Sequence, residues 1–91
     1  MTKKMIQDIA DLLINVGTWK TTSGNYHVDF KDIASAMEID KQEIIDAREN
    51  IMTEIDSREE IISETWLDFD ENGVPDGFDM MFGLDYCPNA E

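Results

Sequence analysis

Twelve consecutive residues carry the densest chemistry in the chain: Asp68-Phe69-Asp70-Glu71-Asn72-Gly73-Val74-Pro75-Asp76-Gly77-Phe78-Asp79. Counting from Asp68, side-chain oxygens fall at positions 1, 3, 5, 9 and 12, Gly73 at position 6, and the Val74 carbonyl at position 7. Calcium takes about six to eight oxygen ligands, and this spacing can wrap them around one ion. Asp79 is one carbon shorter than the bidentate glutamate usual at the last position. Without an ion the same residues make an Asp/Asn/Gly turn that displays acids to solvent. Whether Asp68, Asp70, Asn72, Asp76 and Asp79 hold calcium stays open at this level.

A second set precedes the loop. Glu43, Asp46, Glu49, Glu54, Asp56, Glu59, Glu60 and Glu64 alternate with an apolar stripe of Ile44, Ile45, Ile51, Met52 and Ile55. On a helix at 100° per residue, the stripe clusters on one side and Asp46, Glu49, Asp56, Glu60 and Glu64 fall opposite. A continuous helix over 43–64 would span roughly 33 Å. With Arg48 and Arg58 subtracted, it would carry one net charge per ~5.5 Å, against one per ~1.7 Å for duplex DNA. The loop acids Asp68, Asp70, Glu71, Asp76 and Asp79, or a second copy of the chain, would have to add to it. Together these thirteen acids form the candidate surface for a basic partner.

Nucleophilic and redox chemistry find little support. His27 is the single histidine, and nothing near it in sequence makes a nucleophile pair. Cys87 is alone, which excludes a disulfide framework and a cysteine-based zinc site and suits a reducing cytoplasm. Carboxylates are so abundant that no pair stands out for acid–base work. No glycine-rich phosphate loop exists, and a polyanion repels phosphates. A binding protein is expected, not an enzyme, with no cofactor.

The charge balance points the same way. Twenty-one Asp and Glu stand against seven Lys and Arg, a net −14. That exceeds what solubility needs and costs stability through self-repulsion. Residues 1–42 carry six acids and five lysines, net −1. Residues 43–91 carry fifteen acids and two arginines, net −13. The near-neutral half is where self-association into a homodimer would meet least repulsion. No apolar run suggests a leader or membrane span, so a cytoplasmic protein is expected.

These groups need a scaffold, and 91 residues with 42% apolar content fit one globular α+β domain, 1–91. Met5, Ile6, Ile9, Leu12, Leu13 and Val16 predict a helix over 4–16, with Thr2 as cap and Gly17 as stop. Thr18–Thr21 and Tyr26–Val28 read as short strands about a turn at 22–25. Asp29 caps a short helix, Phe30–Met37. Asp40 and Glu43 form a capping signature for a longer helix fraying between Ser57 and Ile62. Thr65–Phe69 and Phe78–Phe82 form a C-terminal hairpin. Three helices, short strands and a hairpin in this order resemble a winged helix. An acidic second helix would be pushed off DNA, so the charge excludes a DNA reader.

Two further resemblances bear on function. The loop Asp68–Asp79 is similar to an EF-hand loop and, more closely, to the short Asp-x-Asp-x-Asp-Gly-x-Pro-Asp-Gly calcium repeats of secreted bacterial proteins. Here it occurs once, between strands. In size, acidity and lack of a catalytic motif, the whole chain resembles the phage-encoded DNA-mimic anti-restriction proteins of T-even phages. That family shares charge geometry, not sequence, so it transfers no individual residues. The resemblance implies an inhibitor that occupies the DNA site of a basic host protein, either a McrBC-type restriction nuclease or an H-NS-like nucleoid protein. A small calcium-binding module is the alternative, and an acidic chaperone or antitoxin-like partner a weaker third.

Overall fold

Thr2 opens the chain's first helix as its residue type predicts: its Oγ1 accepts from the Met5 N–H at 3.2 Å. In the computed structural model, which describes residues 1–20 and 24–83, this helix is α1, Lys3–Lys20. It runs past Gly17, so the expected stop there and the strand over Thr18–Lys20 are corrected; Thr21 to Ser23 lie outside the described residues. Gly17 is a packing residue. A Cβ on it would sit 2.5 Å from the Phe82 ring and 3.0 Å from Tyr26. The missing side chain lets the sheet approach the helix, at a propensity cost of about 1 kcal/mol relative to Ala.

Strand β1 (Asn25–Asp29) leads directly into α2 (Phe30–Met37), the helix bounded as the sequence predicts. Asp29 takes the extended N-cap conformation, but its side chain makes no capping bond. At the other end Glu38 adopts φ 57°, closing α2 with its N–H on the Ala34 and Ser35 carbonyls.

The expected long acidic helix is two helices, α3 (Lys41–Asp46) and α4 (Arg48–Asp56). Asp40 N–H donates to Glu43 Oε2 at 3.2 Å, the glutamate half of the capping box. The break falls at Ala47, where φ −99° and ψ 7° leave the helical region. Arg48 Nη1 donates to the Ile45 carbonyl at 2.7 Å, satisfying an acceptor near the break. Ile44, Ala47, Ile51 and Ile55 are all buried, their spacings of three and four residues keeping one face across the break. A continuous 33 Å acidic rod is excluded by the break. α4 ends at Asp56, so Glu59 and Glu60 lie in a turn and Glu64 on a strand.

Strands β2 (Ile62–Phe69) and β3 (Pro75–Phe82) form the expected hairpin, longer than predicted. β3 is central: the antiparallel sheet has the order β1-β3-β2. The element order is the one that suggested a winged helix, with its third helix delivered in two pieces. Strand periodicity sorts the sheet's residues. Val28, Phe78 and Leu67 are in register across the three strands, and Phe78, Met80 and Phe82 are buried. They join Ile9, Leu13, Phe30, Ile33, Ile51 and Ile55 in one core, with the Phe30 and Phe78 ring centroids 4.8 Å apart. The other register row, His27, Asp79 and Trp66, belongs to the opposite face. No helix among the described residues is long and apolar enough to cross a membrane.

Candidate functional site

The structure divides the thirteen candidate acids into two groups. Glu43, Asp46, Glu49, Asp56, Glu59, Glu60, Glu64 and Glu71 are exposed. They are distributed over α3, α4, the turn after α4, β2 and the hairpin tip. Asp46 accepts from Gln42 Nε2 at 2.9 Å, and none of the eight is in an ion pair among the described residues. Asp56, Glu59 and Glu64 line one open depression beside Ile62, Ser63 and Thr65. These carboxylates lie on the half of the chain that carries net −13.

Glu54, Asp68, Asp70, Asp76 and Asp79 are only partly exposed, and four of them have internal partners. Glu54 pairs with Arg58, whose other arm reaches Asp11 on α1 and ties the end of α4 to it. Asp70 Oδ1 accepts the N–H groups of Asn72 at 2.8 Å and Val74 at 3.0 Å. This Asx-type turn, with Gly73 at φ 77°, closes the hairpin. Asp68 and Asp79 instead turn to His27. Among the described residues, the loop acids do not converge as a calcium set; His27, Asp68 and Asp79 form the one group of three or more metal-capable residues. Strand pairing over Pro75–Phe82 holds the second half of the twelve-residue loop extended.

The His27 cluster is the feature that sequence reasoning missed. Its three strands each contribute: His27 and Asp29 from β1, Asp68 from β2 and Asp79 from β3. His27 Nε2 lies 2.8 Å from Asp29 Oδ1. Nδ1 lies 2.6 Å from Asp68 Oδ2 and 3.3 Å from Asp79 Oδ1. A neutral imidazole has one N–H; only the imidazolium donates on both sides. Partial burial opposes that charge. The Asp29 hydrogen bond and the fields of Asp79, Asp68 and Asp29 overcome it and raise the His27 pKa above 6.5. Burial raises the Asp79 carboxyl as well, together with its hydrogen bond and repulsion from Asp68, against the lowering effect of His27.

Gly77 makes room for the ring. A Cβ there would meet the Val28 carbonyl oxygen at 2.8 Å and His27 Cε1 at 3.0 Å. The sequence contained one usable signal: His27 and Asp29 share a strand face by their spacing of two. The join to Asp68 and Asp79 depends on β1 pairing with β3, about fifty residues away. No protein-family model matches the chain, and no curated protein or solved structure shows significant similarity to it.

Proposed function

We propose that this chain is a DNA-mimic inhibitor whose acidic surface occupies the DNA-binding site of a basic host protein. The carrying observation is the set of eight exposed acids that, among the described residues, pair with no lysine or arginine. A groove lined with Lys and Arg for phosphates attracts such a surface and is steered toward it at long range. The break at Ala47 supports a surface of patches on α3, α4 and the turn, in place of a straight rod. A McrBC-type nuclease or an H-NS-like nucleoid protein is the class of partner proposed, acting in the host cytoplasm and without direct contact of this chain with nucleic acid.

The test is displacement of a fluorescent duplex from an H-NS-like protein and from a McrBC-type DNA-binding domain, followed by anisotropy. The chain should release the DNA at 50 mM salt and lose most of its effect by ~0.5 M, where screening shortens to a few ångströms. The triple variant Asp46→Lys, Glu49→Lys, Glu60→Lys should lose inhibition by more than tenfold with an unchanged circular dichroism spectrum. Lys3→Glu with Lys20→Glu should change it little. Equal effects of the two variants, or no release from either protein, would overturn the reading.

A further inference from the structure

We propose that His27, Asp68 and Asp79 form a binding site for one divalent transition-metal ion of the zinc type on the face of the sheet turned away from the helices. One ligand comes from each strand, and their ligating atoms all lie within 4.8 Å of one another. An imidazole nitrogen with two carboxylate oxygens suits zinc and its neighbours, whereas calcium and magnesium prefer oxygen alone. The site shares Asp68 and Asp79 with the loop reading but adds His27 and leaves out Asp70, Asn72 and Asp76, and it suits a different metal.

Three features of the geometry support this. First, the ring is oriented as a ligand would be. Metal-binding histidines commonly give their other N–H to a carboxylate, which fixes the tautomer. Asp29 holds Nε2 at 2.8 Å, leaving Nδ1 toward Asp68 and Asp79. Second, the spacing is close to what coordination needs. Zinc bonds of about 2.0–2.1 Å place tetrahedral ligands about 3.3 Å apart. Nδ1 and Asp79 Oδ1 are already 3.3 Å apart. Nδ1 and Asp68 Oδ2, at 2.6 Å, need a separation larger by about 0.7 Å, which a side-chain torsion of half-exposed Asp68 provides. Third, Asp68 and Asp79 bring carboxylate oxygens from two different strands to the same ring nitrogen, Nδ1 of His27. The ion would take the place of the Nδ1 proton. Three protein ligands leave a fourth position for water.

The test uses the metal-stripped full chain, with zinc chloride alone as probe, at pH 7.5 and 0.15 M salt. Calorimetry should show one ion per chain, and the melting temperature should rise with the logarithm of zinc concentration. His27 is the only histidine, so its 15N ring signals are unambiguous, and Nδ1 should move while Nε2 keeps its proton. Asp79→Asn should weaken binding at least tenfold. Asp29→Asn, which changes only the orienting carboxylate, should weaken it about ten- to a hundredfold. Cys87→Ser should leave it unchanged, and calcium should not compete. Binding retained in Asp79→Asn, binding lost in Cys87→Ser, or an unmoved Nδ1 signal in the unmutated chain would each overturn the proposal. Partner inhibition by the exposed acids is measured separately, so neither result decides the other.

Discussion

The exposed acids of the helical layer and the aspartates gathered on the sheet carry the same charge in opposite settings. On α3, α4 and the turn that follows, Asp46, Glu49, Asp56, Glu59 and Glu60 face solvent. On the sheet, Asp29, Asp68 and Asp79 surround a single imidazole, and Asp70 closes a turn. The first group faces solvent and costs the fold repulsion; the second uses its charge internally. A count of carboxylates measures neither surface nor site until each is assigned its hydrogen-bond partners.

The sharpest way to break the sheet group is to fill the space beneath it. Gly77→Ala places a Cβ against the Val28 carbonyl, which is backbone and cannot rotate away. The expected cost is about 1–3 kcal/mol, with a Tm loss of about 4–8 °C for each kcal/mol in a domain of this size. Thermal denaturation with the His27 ring signals as a local probe would show both effects. An unchanged Tm would mean that the imidazole is not held by that clearance.

A smaller effect follows from pH. The His27 pKa is raised in the folded chain, so its stabilising contribution is complete below 6.5 and is lost as pH rises through the higher folded value. Asp79, also raised, acts in the same direction at lower pH, since its ionisation costs the folded state. With chelator present, Tm should therefore fall between pH 6 and 8, and His27→Gln should flatten most of that slope. A slope that survives the substitution would assign it to the general negative charge and erase the distinction between the groups.

The smallest effects belong to the helical acids. Glu49→Gln, Asp56→Asn and Glu60→Gln should each change stability by less than about 0.5 kcal/mol. Any change should be toward greater stability, because each removes one of many like charges. Urea denaturation of the three variants measures it. A loss above about 1 kcal/mol in any of them would move that residue into the structurally committed group.

Much of the scaffold was readable because its signals are local. Thr2, the apolar spacing of α1, the bounds of α2 and the turn chemistry of the hairpin all act within a few residues. Gly17 misled because a glycine that ends a helix and one that admits a neighbouring ring look alike until the ring of Phe82 is in place. Ala47 misled for the opposite reason. No proline or glycine marks the break, and the apolar spacing of Ile44, Ile51 and Ile55 is the same for one helix or two. The loop Asp68–Asp79 matched a cation-binding spacing, yet its residues were claimed by strand pairing and by the Asx turn. His27 read as an ordinary strand residue because its two Asp partners from β2 and β3 are brought to it only by the sheet.

The central place of β3 also sets an order of events during synthesis. β1 and β2 are not neighbours; each pairs only with the strand translated after both of them. The roughly fifty residues from Asp29 to Phe82 take about 3–10 s to make at 5–20 residues per second. Throughout that interval a growing chain can form α1 and α2 but has no sheet to lay them on. β1 waits with unpaired edges through nearly all of that interval and β2 only through its last part, until β3 joins them.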